Sequence, residues 1–511
     1  MDILISLVRF IGILGLVILL FNLMIGVHEL GHFLAGRWRG LYIDRFQIWF
    51  GKPIWKKKIN GVQYGLGWLP LGGFVSLPQM APMEGIEGEF ETPDGKPLPK
   101  VSPIDKIIVA FAGPLFSFLL AVVFAVLVSF IGYPDMGTDD NPETATKVGW
   151  VVPGSEAEKA GFQVGDVIRK IDGQEVKKWV GAIDAVVSRI PLSTGKQIEF
   201  EVERDGALLT IVSGYNDKAP VNTKAGPVKG FLQGIFKRPP MRQVGIGAWD
   251  DEIIVGELGD SKGDQAYRAK VENSPLFEAL KPGDRLLTAN QTKLTSLGIV
   301  EDILKQNPGK PVDLGILRDG EETTLTLTPV FPISGGTKEY PDLGGFPRPD
   351  TIILKKEGIG TLLVTPFKMV YRTLAAVINP NSSVGPGHLS GALGIGNLLY
   401  RLFDMPDGWR LVLWITVLIN INLAILNMLP LPVLDGGHIV MALYEKITGR
   451  PLPQKLLEWV MQIAVILLLM FMLYVTLKDA GDIHSQNSGE PVRYAPAGEA
   501  APQVEPLKEA A

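Results

Sequence analysis

The chain has 511 residues and no cysteine, and its formal net charge is −5. The lack of cysteine excludes disulfide frameworks, cysteine zinc sites and cysteine nucleophiles, and the acidic balance does not indicate nucleic-acid binding. Apolar residues make up 46% of the chain and charged residues 20%, a mixture that is unusual both for a soluble protein and for a pure membrane bundle. Length and composition together predict two to four domains, with several membrane spans joined to folded extramembrane parts.

Four segments carry no charged residue, and about 18 such residues suffice to cross the hydrocarbon. They are residues 10–27, 107–133, 411–434 and 459–477. The first is predicted to be a retained span and not a cleaved signal peptide, because HELGH follows it in place of a small-residue cleavage site. The basic residues that follow span one predict a cytoplasmic loop between the first two spans. The long segment 134–408 and both termini then lie outside the cytoplasm.

The outside segment contains a loose repeat. "VVPGSEAEKAGFQVGDVIRKIDGQEV" begins at Val151 and "VENSPLFEALKPGDRLLTANQTKL" begins at Val271, and each is followed by β-like runs. Both copies resemble PDZ domains of the permuted type found in bacterial envelope proteases. Such domains add an extended peptide to a sheet edge and often capture its C-terminus, so peptide C-termini are expected partners; the alternative is two β-rich domains that only fill space. The stretch "EGIGTLLVTPFKMVYRTLAAV" predicts an amphipathic helix that lies on the membrane surface or packs against other helices.

HELGH, at the end of the first span, is the HExxH motif. On a helix, residues four apart share a face, so His28 and His32 can bind one metal ion. Zinc lowers the pKa of water, and Glu29 is placed to take its proton. The alternative is a pair of helix-terminal histidines hydrogen-bonded to carbonyls, but polar groups at membrane depth are usually functional.

Two histidines leave a catalytic zinc site one protein ligand short. The best candidate is Asp435, in "NMLPLPVLDGGH", where two prolines break the helix just before it. Non-helical backbone is tolerated at membrane depth where protein or a water-filled cavity satisfies it. The alternative for Asp435 is a helix cap or turn residue. The other histidines are His388, His438 and His484.

HExxH in a first span, a PDZ-like tandem and N-x-x-P-x-P-x-x-x-D-G in a late span together resemble the site-2 protease family, and the bacterial regulator-of-sigma-E type matches best. The resemblance implies that His28, His32 and Asp435 bind zinc, that Glu29 is the catalytic glutamate and that Asn427 holds the substrate backbone. Asn422 is a second candidate for that last role.

Three further stretches fit the family. "YGLGWLPLGGFVSL", from Tyr64, resembles its membrane-re-entrant β-hairpin, whose glycines are candidates for contact with an unwound substrate; these are Gly65, Gly67, Gly72 and Gly73. "AGPLFSF" and "HLSGALGIG" resemble family motifs in which Ser117 and Ala392 replace the usual Asn and Pro. We expect both departures to affect packing and not zinc chemistry.

The predicted fold is a polytopic α-helical membrane protein with about four transmembrane helices, a membrane-associated β-hairpin and two inserted β-rich PDZ-like domains. The predicted segments are span one (1–36), a cytoplasmic or re-entrant hairpin loop (37–104), span two (105–134), PDZ-like domain one (140–228), a linker (229–250), PDZ-like domain two (251–332), an amphipathic helix and connector (333–408), span three (409–436), a cytoplasmic loop (437–456), span four (457–478) and a disordered tail (479–511).

The resemblance implies a zinc metalloprotease of the cell inner membrane that cleaves peptide bonds within transmembrane segments. The expected substrates are single-pass membrane proteins, such as a trimmed anti-sigma factor, and signal-peptide remnants, in contact with membrane lipids. The PDZ-like domains would lie on the periplasmic side and the active site near the cytoplasmic side. Two alternative functions are an inactive membrane-tethered PDZ scaffold, which the intact HExxH motif disfavours, and a transporter, which the absence of an inverted repeat disfavours.

Overall fold

The computed structural model describes residues 2–80, 101–134, 141, 143–181, 183–217, 236–258, 267–268, 271–333, 340–346, 354–405, 407–450, 452–488 and 494. The prediction of a disordered tail from 479 to 511 is wrong for residues 479–488, which continue the helix that begins at Gln454, because Asp479 is buried and paired with Arg238. The rest of the predicted tail lies outside the described residues, apart from Tyr494. The helices in the described part are α1 (Asp2–Arg39), α2 (Pro103–Ile131), α3 (Glu156–Ala160), α4 (Val186–Leu192), α5 (Pro275–Ala279), α6 (Gly298–Gln306), α7 (Ile359–Ile378), α8 (Ala392–Asp404), α9 (Gly408–Asn427), α10 (Asp435–Thr448) and α11 (Gln454–Ser488).

The strands are mostly short, apart from the first two. They are β1 (Arg45–Ile59), β2 (Val62–Val75), β3 (Tyr133–Pro134), β4 (Val148–Val151), β5 (Val167–Ile171), β6 (Gln174–Glu175), β7 (Ile198–Arg204), β8 (Ala207–Ser213), β9 (Ile246–Ala248), β10 (Ile253–Ile254), β11 (Arg285–Ala289), β12 (Thr292–Lys293), β13 (Val312–Arg318), β14 (Glu321–Leu327) and β15 (Leu354–Lys355).

Five helices in the described part are long and apolar enough to cross a membrane: α1, α2, α7, α9 and α11. Four of them coincide with the predicted spans. The fifth, α7, is the predicted amphipathic helix. By length and composition it also qualifies as a span, so the predicted number of four transmembrane helices is not established. The chain is a multi-pass membrane protein that also carries β-sheet domains.

Helix α2 is the centre of the helical part, because it contacts α1, α7, α9 and α10. Small residues on α2 let its neighbours approach closely, as is usual where lipid removes the hydrophobic drive for helix association. Ala121 and Ala125 are fully buried, in one cluster with Leu362 of α7 and Val417 of α9. This packing fixes α1 and the α9–α10 junction on two sides of α2.

Strands β1 and β2 form the predicted hairpin, and both strands bend. Phe46 of β1 consequently lies opposite both Tyr64 and Val75 of β2. Strand β2 contacts α1. A hydrophobic cluster that includes Phe33 of α1 and Val75, the last residue of β2, joins the helix to the hairpin. The hairpin therefore ends beside the HExxH segment of α1.

The two copies of the repeat fold alike. The first has a sheet in the order β6-β5-β7-β8, and the second has the order β10-β11-β13-β14 with β12 paired to β11. In each copy the aspartate of the Gly-Asp pair receives two hydrogen bonds from one arginine, Arg204 to Asp166 and Arg318 to Asp284.

Both β-domains use residues beyond the predicted segments. Val244, in the predicted linker, is buried in the first core, and β9 pairs with β4. Leu343 and Phe346, in the predicted connector, are buried in the second core. The predicted loop 437–456 contains most of helix α10.

Candidate metal centre and active site

Helix α1 places two imidazoles side by side. His28 and His32 are four residues apart and both are buried, with 7% and 8% of their surface exposed. Their Nε2 atoms lie 3.3 Å apart. The pair is therefore ready to bind one ion from a single helical face.

The third group comes from the other end of the chain. Helix α9 ends at Asn427, and a turn that contains Pro430 and Pro432 leads to α10, whose first residue is Asp435. The carboxylate oxygens of Asp435 lie 3.3 Å from His28 Nε2 and 3.3 Å from His32 Nε2. The sequence prediction that these three residues converge agrees with the structure.

The two glycines after Asp435 make this turn possible. A Cβ on Gly436 would lie 2.3 Å from the carbonyl oxygens of the turn, and one on Gly437 would lie 2.1 Å from the carbonyl oxygen of Leu431. Any larger residue would push α10 away from the turn. The D-G-G sequence is thus a packing requirement for the position of the carboxylate.

The three groups fit a zinc ion. A tetrahedral ion with ligands at about 2.0–2.1 Å separates their donor atoms by roughly 3.3 Å. The two Nε2 atoms lie 3.3 Å apart, and a different oxygen of Asp435 lies 3.3 Å from each of them, Oδ2 from His28 and Oδ1 from His32. Asp435 Oδ2 is buried and has no hydrogen-bond donor in the described part of the chain. Two imidazoles and a carboxylate are a donor set that zinc favours, with a fourth position left for a reactant.

Helix α2 holds both imidazoles from behind, through residues spaced four apart. Ser117 Oγ lies 3.0 Å from His28 Nδ1, and the Val109 carbonyl oxygen lies 2.8 Å from His32 Nδ1. Between them, Gly113 leaves room for the rings, since a Cβ there would lie 2.2 Å from His32 Nε2. With Nδ1–H donated to α2, each ring presents the Nε2 lone pair to the ion.

The expectation that Ser117 affects only packing is therefore wrong. Its hydroxyl is fully buried and contacts a metal-ligand candidate directly. Sequence reasoning missed this role, and it also missed the carbonyl of Val109. The signal that could have found both is the spacing of Val109, Gly113 and Ser117, which puts them on one face of α2.

Glu29 lies between the metal-ligand pair and the hairpin. Its Oε2 accepts a hydrogen bond from the backbone N–H of Val75, at 3.1 Å. Val75 is the last residue of β2. Residues 73–75 of β2 pair with β1 along one edge, and the Val75 N–H points away from that edge. The carboxylate is thus tied to the open edge of the hairpin.

Only one of the two predicted asparagines lies at the site. Asn427 Nδ2 is 3.5 Å from His28 Nε2. Asn422 is five residues earlier on α9, which turns its side chain about 140° away, and no described hydrogen bond joins it to the site. Asn420, seven residues before Asn427, shares its face and is fully buried.

The hairpin glycines fall into two groups. Gly65 and Gly67 face β1: a Cβ on Gly67 would lie 2.3 Å from the carbonyl oxygen of Phe50, and one on Gly65 would lie 3.4 Å from the Gln47 side chain. Gly72 has a φ of +72°, which suits glycine. Gly73 is the glycine nearest to α1, and its role in substrate binding stays a prediction.

Among the other histidines, His388 lies elsewhere, with Nε2 3.0 Å from the Pro239 carbonyl oxygen. His438 follows Asp435 by one turn of α10, and its buried Nδ1 has no hydrogen-bond partner among the described residues. The one described group of three or more His, Cys, Asp or Glu side chains that could hold an ion is His28, His32 and Asp435.

Comparison with known proteins points to the same chemistry. Residues 15–471 match the model of peptidase family M50. The chain is 28% identical over 497 residues to Protease RseP of Yersinia pestis, covering 92% of this chain and 97% of that one. It is 26% identical over 473 residues to the regulator of sigma-E protease RseP of Escherichia coli K12, covering 88% and 94%.

A Neisseria meningitidis protein with the name "Putative zinc metalloprotease" is 27% identical over 480 residues, covering 89% of this chain and 96% of the relative. The resemblance drawn from HELGH and the late LDG motif is confirmed by these matches. The chain belongs to peptidase family M50, the site-2 protease family, and is a membrane metalloprotease.

Proposed function

We propose that the chain is a zinc metalloprotease that hydrolyses peptide bonds within the membrane. The observation that carries this proposal is the convergence of His28, His32 and Asp435, whose ligand atoms all lie within 4.8 Å of one another, with Glu29 adjacent to His28 on the same helix. His28 and His32 continue an apolar helix that is long enough to cross the bilayer, which supports chemistry at membrane depth.

The residues of the chain divide the reaction between them. Zinc, when bound, supplies a Lewis acid that polarises a carbonyl and activates water. Glu29 accepts the proton of the attacking water and later donates it to the leaving nitrogen, so that the C–N bond breaks and a carboxylate and an amine are released. Asn427 Nδ2 is within reach of the same region and can donate to the substrate carbonyl oxygen or main chain.

The hairpin supports a role in holding the substrate. A transmembrane helix keeps its carbonyls in internal hydrogen bonds, so a substrate must unwind before it is cut, and unwound backbone in lipid needs new partners. The open edge of β2 near Gly73 and Val75 offers backbone groups for strand addition. Because the Val75 N–H already binds Glu29, a strand placed there would lie against the catalytic carboxylate.

The names of the relatives support a proposal for the biological role. Four of them are named regulator of sigma-E protease, and on that basis we propose that substrates here include a trimmed membrane-bound anti-sigma factor and signal-peptide remnants in the inner membrane. The two β-domains, by their PDZ-like repeat, would bind peptide C-termini or exclude substrates with bulky outer domains. Their periplasmic placement rests on the basic residues between the first two spans.

The test compares cells that carry the unchanged chain with cells that carry Glu29→Gln. Membrane-anchored peptides should accumulate in the variant, and purified Glu29→Gln protein should cut a model span more than about 1000-fold more slowly while it retains zinc. Glu272→Gln, at an exposed glutamate of the second β-domain, is the matched control. A Glu29→Gln protein that still cuts the span would refute the protease assignment, and zinc-free unchanged protein would favour the inactive scaffold.

A further inference from the structure

A large cavity lies between the first β-domain and the ends of the spans, away from the metal centre. Its volume is about 1170 Å³. One wall is apolar and comes from helices, with Val364 of α7 and Leu411 and Ile415 of α9. The opposite wall belongs to the first β-domain and carries lysines. The cavity is therefore amphipathic: one side suits hydrocarbon and the other suits negative charge.

The charge of the lining is clearly positive. Five cationic side chains face two acidic ones, Asp184 and Glu357. Two of the cations, Arg169 and Lys355, form ion pairs with Glu203 and Glu357. The remaining three are Lys177, Lys178 and Lys368, and none of them has an ion-pair partner in the described part of the chain. Three lysines near one apolar wall are charges that an anionic ligand could neutralise.

Two aromatic residues indicate the depth of the cavity in the membrane. Tyr133 and Trp414 both line it, and their rings stack with centroids 5.5 Å apart. Tyr133 lies two residues after the end of α2, and Trp414 lies in the first two turns of α9. Tyrosine and tryptophan concentrate at the level of lipid headgroups, so a cavity that they share with lysines suits the headgroup region.

We propose that this cavity binds an anionic phospholipid. Its phosphate would lie among Lys177, Lys178 and Lys368, and its acyl chains along Leu411 and Ile415. A peptide fits less well, because an extended backbone needs hydrogen-bond partners and the apolar wall is built from helices whose backbone groups are already paired. The site is independent of the peptidase chemistry, and it would fix the first β-domain against the membrane surface.

The experiment uses the full chain in phosphatidylcholine vesicles that contain an increasing fraction, up to one-fifth, of a lipid with brominated acyl chains, which quenches the fluorescence of nearby tryptophan. The brominated lipid is either phosphatidylglycerol or phosphatidylcholine. The signal of Trp414 is obtained as the difference between each protein and its Trp414→Phe version, since the chain has 10 tryptophans. Each lysine near an anionic headgroup contributes roughly fivefold. We therefore expect brominated phosphatidylglycerol to quench this signal at concentrations at least about tenfold lower than brominated phosphatidylcholine does.

The triple variant Lys177→Gln, Lys178→Gln, Lys368→Gln should remove this preference. The control, Lys196→Gln, Lys281→Gln, Lys310→Gln, changes the charge equally at exposed lysines outside the cavity and should keep it. Lys368→Gln alone, on the exposed face of α7, should reduce the preference at least about twofold and provides the test if the triple variant does not fold. Equal quenching by the two lipids overturns the proposal, and so does a preference that survives the loss of all three lysines. Cross-linking of an acidic substrate to Lys368, without any lipid preference, also overturns it.

Discussion

The candidate metal centre and the β-domains both contain aspartates with buried carboxylate oxygens, but the surroundings of these aspartates differ: Asp166 and Asp284 are buried, whereas 17% of the Asp435 side chain is exposed. Asp166 and Asp284 each receive two hydrogen bonds from an arginine and one from a backbone N–H, of Gln163 and Lys281 respectively. Asp435, in contrast, faces two imidazole nitrogens, and its Oδ2 has no hydrogen-bond donor in the described part of the chain.

This difference separates a structural role from a functional one. A buried carboxylate is expensive unless it is paired and hydrogen-bonded. The β-domain aspartates meet that requirement with protein groups alone, so they stabilise their turns. The Asp435 site meets it only when a cation lies between three lone pairs that point at one another. The lack of a hydrogen-bond donor to Asp435 Oδ2 in the described part of the chain, more than burial, supports the proposal that Asp435 binds a metal ion.

Filling the space behind the imidazoles should damage the metal centre most. In Gly113→Ala the new methyl group would lie 2.2 Å from His32 Nε2 and 2.9 Å from the His28 ring, so both rings must move. We expect zinc affinity to fall more than about 100-fold, with loss of proteolysis. Isothermal titration with zinc and a model-span cleavage assay measure these effects.

Gly26→Ala is the matched control, since it lies in α1 with open space at its Cβ. It should bind zinc and cleave like the unchanged protein. Normal zinc affinity in Gly113→Ala would mean that α2 does not support the imidazoles.

Removing one hydrogen bond behind the site should have a smaller effect. Ser117→Ala leaves His28 Nδ1 without its partner, and such losses typically cost about 10–100-fold in metal affinity or activity. Because the ring is mis-oriented and not lost, we expect kcat to fall more than KM rises, with partial recovery in Ser117→Thr, which keeps the hydroxyl. Steady-state kinetics with a model span provide both constants.

The control here is Ser129→Ala, on the same helix, whose hydroxyl donates a hydrogen bond to the Val126 carbonyl, far from the imidazoles. It should leave zinc binding and kinetics unchanged. If Ser117→Ala behaves in the same way, Ser117 serves packing alone.

Breaking a β-domain pair should not affect zinc binding at all. Arg318→Leu leaves Asp284 buried without its partner, which should destabilise the second β-domain by about 3 kcal/mol while zinc content stays constant. Hydrogen exchange of the full chain, read in peptides from β13, measures this local stability. Loss of zinc in Arg318→Leu would contradict the separation drawn above.

The same pair predicts a pH dependence. Burial raises the pKa of the Asp284 carboxyl, but the hydrogen bonds from Arg318 and from the Lys281 N–H, together with the charges of both side chains, outweigh it and hold the pKa below its usual value. A carboxyl whose folded pKa is depressed stabilises the fold above its unfolded pKa, about 3.9, and this stability is lost as the pH falls through the folded pKa. The extra protection of β13 in the unchanged chain over Arg318→Leu should therefore be full at pH 7 and shrink below about pH 4.

The sequence was sufficient to predict which three candidate metal ligands the structure brings together, because HELGH and LDGG are local patterns with a known geometry. His28 and His32 follow from helical periodicity, and the prolines before Asp435 predicted the helix break that the structure contains. The repeat could be recognised from the sequence for the same reason, since a Gly-Asp turn is a local sequence pattern.

Groups that act through tertiary contact were not predictable. The Val109 carbonyl and the Val75 N–H belong to backbone, which every residue has, so no residue type marks them. Ser117 was visible but was assigned to packing, because the sequence does not give the rotation of α2 relative to α1. The cavity beside Trp414 depends on how a β-domain sits against the spans, which is also absent from local pattern.

The most direct measurement is zinc content combined with zinc K-edge absorption spectroscopy on the purified full-length protein and on Asp435→Ala. We predict one zinc per chain in the unchanged protein, with two imidazole nitrogens and one carboxylate oxygen as protein ligands. In Asp435→Ala the zinc should be lost or held by the two imidazoles alone. An unchanged zinc spectrum and content in Asp435→Ala would contradict the claim that these distant parts of the chain share one ion.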